Sequence, residues 1–161
     1  MKIFVMKRVG LWAIEIGLVV TFGLVTVERG SAEGEKRART CTLATLEGRY
    51  LFATSGTLLP PAFGVTEPTP GASAGFHIFN GDGTGTDTVT VRVGGKIVLR
   101  NVVSPIRYTV NADCTGSYTV QVPDGPSFDL FIAPTGESIA TIATAPEGNY
   151  VSSIDKRVSR K

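Results

Sequence analysis

Histidine occurs once in the 161 residues and cysteine only twice, so the chain cannot assemble a Cys/His zinc site. Tryptophan also occurs once, at Trp12. Charged residues make up only 19% and the net charge is +2. That balance lacks the basic stripe of a nucleic-acid binder. It also lacks the charge density that keeps a chain disordered. Beyond the N-terminal segment no stretch repeats its apolar residues every 3.6 positions, which argues against amphipathic helices. What the chain has in quantity is turn formers, 19 Gly and 9 Pro, set among 42% hydrophobic residues. Its length suits one domain rich in strands and turns.

The N-terminal segment reads separately. Lys2, Lys7 and Arg8 precede an apolar run from Leu11 to Val27, broken once by Glu15, and Gly30-Ser31-Ala32 follows. A basic start, an apolar centre and a small-residue exit describe a secretory signal peptide over residues 1–32, with cleavage expected after Ala32. Cleavage would remove four basic and two acidic residues and leave 12 of each sign. Residues 33–47 then form a lead-in, residues 48–155 the folded domain and residues 156–161 a basic tail. No integral membrane association is expected after cleavage. The expected location is periplasmic or secreted, in a bacterium.

Both cysteines, Cys41 and Cys114, fall in the exported part, where an even count suggests a disulfide. Only one pairing is available. It would tie the lead-in to the turn around Asp113.

From Gly48 onward, short β-branched and aromatic runs alternate with Gly, Pro, Asn and Asp turns. The expected runs are residues 49–54, 74–80, 86–93, 96–103, 106–110, 117–122, 128–133, 138–144 and 149–154. A Pro-rich loop (Pro60, Pro61, Pro68, Pro70) separates the first two, and Pro105 separates the fourth from the fifth. Val89, Val91 and Val93 share a face, as do Ile106, Tyr108 and Val110, and Tyr118, Val120 and Val122. Polar residues occupy the opposite faces. An antiparallel sheet with one buried side satisfies this pattern. Closing it into an up-and-down barrel of about eight strands also removes exposed edges. A two-sheet β-sandwich is the alternative.

No residue group demands catalysis, a metal or a cofactor. His77 lies between Phe76 and Ile78 and is expected to face outward. Asp82 and Asp87 flank a glycine-rich turn without the spacing of a calcium loop, and hairpin chemistry accounts for them. Gly81 to Gly85 lacks the Lys of a phosphate loop. The aromatic residues Tyr50, Phe52, Phe76, Tyr108, Tyr118 and Phe128 are expected to line the interior. They would either fill it or enclose one small ligand, with tyrosine hydroxyls as orienting groups.

Three segments carry a resemblance: Gly48-Arg49-Tyr50-Leu51-Phe52, Phe79-Asn80-Gly81-Asp82-Gly83, and Tyr108 through Asp113-Cys114-Thr115-Gly116 to Tyr118. In these the chain resembles small exported bacterial proteins related to allene oxide cyclase and the lipocalin-like barrels. The resemblance runs from about Cys41 to Asp155 and implies a calycin-like barrel. No cyclase catalytic residue matches a position in this chain, so the reaction does not carry over with the fold.

Three roles remain open on the sequence. The first is a non-enzymatic exported barrel that binds a small apolar ligand or acts as an interaction module. The second is a cyclase or isomerase that shapes an apolar substrate in a dry pocket. The third is an adhesive role of the basic termini.

Overall fold

Period-two alternation requires each strand to bury one face, and the chain does so by curling its sheet until the first strand meets the last. A computed structural model describes residues 40–160; the expected signal peptide lies outside the described residues. Within them, β1 (Gly48–Leu58), β2 (Thr69–Phe79), β3 (Thr84–Val93), β4 (Lys96–Val110), β5 (Thr115–Val120), β6 (Ser127–Ile132), β7 (Ser138–Ala145) and β8 (Asn149–Ser159) follow one another. Each pairs antiparallel with its neighbours in chain order, and β1 pairs with β8, giving a closed eight-stranded barrel. The β-sandwich alternative is thereby set aside.

Nine expected runs become eight strands because Pro105 does not interrupt pairing. It sits inside β4 opposite Thr86, and its carbonyl accepts a hydrogen bond from the Gln121 amide at 2.8 Å. Proline lacks a donor but keeps its acceptor, so a strand can run through it where the sheet asks only for a carbonyl. Pro70 likewise lies within β2, at its second residue. β4 pairs with β5 only over Ile106–Val110, whereas its pairing with β3 begins at Lys96. The start of β4 therefore pairs with β3 alone, beyond the last β5 rung.

The two ends of the barrel are built differently. At one end lie residues 40–47 of the lead-in and the β2–β3, β4–β5 and β6–β7 turns. The short 3₁₀ turn Leu43–Leu46 plugs this end, with Leu46 fully buried. Around it pack Tyr50, Phe79, Ile106, Tyr108, Leu130, Ile132 and Ile139. The expected disulfide is present: Cys41 bonds Cys114, and the Cys41 amide donates to the Ala112 carbonyl. Tyr50 and Tyr108 satisfy their hydroxyls on the plug and the turns around it. Tyr108 donates to the Leu43 carbonyl and accepts from the Gly81 amide at 2.8 Å. Tyr50 donates to the Gly136 carbonyl and accepts from Arg157 Nε at 2.9 Å. Arg157 also donates to the Thr45 carbonyl. The expected basic tail therefore contributes to the fold: β8 runs through Arg157, whose guanidinium ties β1 to the plug. Asp82 does serve its hairpin, accepting from the Thr84 amide at 2.8 Å.

The opposite end carries the β1–β2, β3–β4, β5–β6 and β7–β8 connections and, among the described residues, has no plug. Half-exposed apolar side chains stand there, including Phe63 in the β1–β2 loop and Val98 at the start of β4. The outer surface is also less polar than alternation suggests. Phe131 on β6 and Ile154 on β8 are both exposed and flank Ala140 of β7 through the registered pairs.

Candidate functional site

Behind the open end is a cavity of about 260 Å³. That is just below the usual range for small-molecule sites, about 300–1,000 Å³. Its walls are largely apolar. Phe52, Leu58, Val89, Val91, Val120 and Phe128 line it, and Phe63 and Val98 stand at its mouth. The interior is thus filled at the plugged end and hollow at the other.

The floor is polar, and its centre is His77. Register explains why this side chain points inward. In the β1–β2 ladder Tyr50 stands opposite His77 and Phe52 opposite Gly75. Directly paired residues share a face. Once Tyr50 and Phe52 enter the barrel, His77 must follow them. The outward expectation for His77 is therefore corrected: it is only 2% exposed. Phe76 is corrected with it. It faces away from the interior, where the Arg49 guanidinium covers its ring at 3.6 Å. That contact shelters an aromatic ring on the outer wall. Glycine at position 75 fits the same geometry, since a Cβ there would strike the Thr88 carbonyl.

Two carboxylates flank the imidazole. Asp87, directly across the β2–β3 ladder, places Oδ1 3.3 Å from His77 Nδ1. Asp155, on β8, places Oδ2 3.7 Å from His77 Nε2. All three side chains are buried. Phe52 stacks on the imidazole face at 4.4 Å, and Tyr118 approaches at 5.1 Å. Ser153 donates to Asp155 Oδ1 at 2.5 Å and shares a 2.8 Å hydrogen bond with Thr141. Ser104 pairs with Asp87 across the β3–β4 ladder and also lines the cavity. His77 Nδ1, Asp87 Oδ1 and Asp155 Oδ2 are buried yet make no hydrogen bond. Such groups are costly to bury unsatisfied, which makes them informative.

The ionisation of the floor follows from its burial. Burial pushes the Asp155 carboxyl above its ordinary value, against the opposing pull of His77 and Ser153. Burial, reinforced by the Asp155 and Asp87 charges, pushes the Tyr118 phenol well above 10.0. Tyr118 therefore stays a neutral hydroxyl at any ordinary pH. Among the described residues no three His, Cys, Asp or Glu side chains converge as a metal site requires.

Of the six expected lining residues, Phe52, Tyr118 and Phe128 border the cavity. Tyr50 and Tyr108 face inward but belong to the packed end, and Phe76 is outside. Sequence reasoning missed His77, Asp87 and Asp155. For Asp87 a signal was present: it lies on the same alternation face as Val89, Val91 and Val93. Its position beside a glycine turn suggested hairpin chemistry instead.

A second depression, of about 670 Å³, lies on the outer wall of β4 and β5. Arg107, Thr109, Ser117 and Gln121 line it, and it contains no buried carboxylate or imidazole.

Comparison of the chain with protein-family models, curated proteins and solved structures gave no match. What the fold and site define is a class: a closed antiparallel barrel with one plugged end and one hollow end.

Proposed function

We propose that the protein is an exported barrel that binds a small apolar ligand in its hollow half. The observation that carries this reading is the cavity of about 260 Å³ enclosed by Phe52, Leu58, Val89, Val91, Val120 and Phe128. Apolar walls with a few oriented polar groups are the general form of small-molecule sites. Export is supported by the Cys41–Cys114 disulfide, a bond that persists in oxidising compartments. No helix among the described residues is long and apolar enough to cross a membrane.

Calorimetric titration of the disulfide-intact protein with 1-octanol tests the reading. One-to-one binding is expected, weakened at least tenfold by Val89→Trp, which places an indole in the cavity. Heats indistinguishable from dilution would reject the reading.

The imidazole between two carboxylates favours a second reading, an isomerase or cyclase in which His77 moves a proton on an apolar substrate. Any small molecule retained through purification would be released and incubated with fresh protein. Rearrangement that stops in His77→Asn supports catalysis, and rearrangement at an equal rate in that variant removes it.

A further inference from the structure

Charge at the cavity floor identifies the head group that the ligand must carry. The layer of side chains around His77 comes from all eight strands: Phe52 and Thr54 from β1, His77 from β2, Asp87 from β3, Ser104 from β4, Tyr118 from β5, Phe128 from β6, Thr141 from β7, and Ser153 with Asp155 from β8. It contains two carboxyl groups, one imidazole, and neither lysine nor arginine. Apart from that one imidazole, its ionisable groups are all acidic. Arg92, the one arginine bordering the cavity among the described residues, is solvent-exposed on β3 towards the mouth.

The uncommitted groups have the same polarity. Asp87 Oδ1 is a buried acceptor that borders the cavity and makes no hydrogen bond, and Asp155 Oδ2 is another behind the imidazole. A buried carboxylate oxygen needs a donor, and in a low-dielectric site it favours a charged one. The aromatic faces of Tyr118 and Phe128, stacked on each other at 4.6 Å, line the same space and suit a cation as well as an alkyl chain. An anionic head group would meet two carboxyl groups here, with no lysine or arginine in the layer to offset them.

We propose that the cavity selects an apolar ammonium, a small hydrophobic molecule with a protonated amine that donates to Asp87. His77 Nδ1 stands 3.3 Å from Asp87 Oδ1 on one side, and Ser104 lies beside it on β4. This inference rests on the ligand-binding reading and specifies the chemistry of its ligand. The donor arrangement favours an organic cation over a metal ion, because no three ligating side chains converge among the described residues.

The test is calorimetry at pH 7 with three probes of equal chain length: octylammonium, 1-octanol and octanoate. Octylammonium is expected to bind at least tenfold more tightly than 1-octanol, and octanoate more weakly than either. Asp87→Asn should bring octylammonium to within about threefold of 1-octanol. The wild-type ranking stands on its own if that variant does not fold. If 1-octanol binds and octylammonium is no tighter, or octanoate is tightest, the ammonium inference is overturned and the ligand-binding reading survives. If none of the three binds, both fall.

Discussion

The two ends of this barrel solve opposite problems with the same strands. At the plugged end Tyr50, Phe79, Tyr108 and Leu46 fill the interior, and each tyrosine hydroxyl has a partner on the lead-in or a turn. At the hollow end valines line the wall, His77 and two carboxylates form the floor, and three buried polar atoms lack hydrogen bonds. A closed sheet has no edge to unravel, so one end can supply most of the packing while the other stays open. The contrast indicates where stability and recognition separate along one set of strands. Substitutions at the plugged end should lower stability and leave affinity alone, and those at the hollow end should do the reverse.

The largest expected effect is at the disulfide. Cys41 and Cys114 are 73 residues apart, and closing a loop of that length contributes about 4 kcal/mol in the chain-entropy account. Replacing both with serine should lower the thermal midpoint by about 15 °C. At temperatures where the variant remains folded, 1-octanol affinity should match the wild type by calorimetry. A change in affinity as large as the change in stability would show the two ends to be coupled.

Next is Tyr50→Phe. The substitution keeps the ring and removes the hydroxyl that donates to the Gly136 carbonyl and accepts from Arg157. Two groups lose a partner at a mostly buried site, one of them charged, at a cost of about 2 kcal/mol. Denaturant midpoints would measure it. No effect on stability would mean that Arg157 finds another acceptor and that the plug is held by packing alone.

The floor is expected to cost stability. The Asp155 carboxyl is raised by burial, so the folded state favours its protonated form. A carboxyl whose pKa is higher folded than unfolded destabilises increasingly as pH rises from the unfolded value, and the loss levels off above the folded value. Asp155→Asn removes that titration. The variant should be more stable than wild type at pH 7, and the difference should vanish below about pH 4, near the ordinary aspartate value. Paired thermal scans across this range check the sign. A variant less stable at pH 7 would mean that the His77 contact outweighs the cost of burial.

Much of the plugged end is legible in the sequence, and the floor of the cavity is not. Alternation alone orients Ile106, Tyr108 and Leu130 there, and Tyr118, Val120 and Phe128 on the cavity wall, because apolar and polar residues take strict turns over these positions. The disulfide follows from having two cysteines and one pairing. β2 is different. Phe76-His77-Ile78-Phe79 presents an aromatic residue on each face, so hydrophobicity cannot choose between them. The choice is made by pairing with β1, a contact between residues more than twenty positions apart, and by Arg49 sheltering Phe76 on the outside. The role of Arg157 was hidden for a similar reason. A basic cluster at a chain end looks solvated until closure of the barrel brings β8 against β1.

The smallest stability effect, and the sharpest test of the contrast, is expected at the mouth. Phe63 and Val98 are 51% and 54% exposed, yet both border the cavity. Replacing both with serine removes apolar surface that is already largely in water, so stability should change by no more than about 0.5 kcal/mol. A ligand in the cavity would lose part of the surface that shields it, at about 0.8 kcal/mol per exposed methylene. Affinity for 1-octanol should therefore fall about fivefold, measured beside an unchanged denaturation curve. An unchanged affinity would place the ligand entirely below the rim, against the His77 floor. A large loss of stability would show that the mouth contributes to the core, and the division between the two ends would then fail.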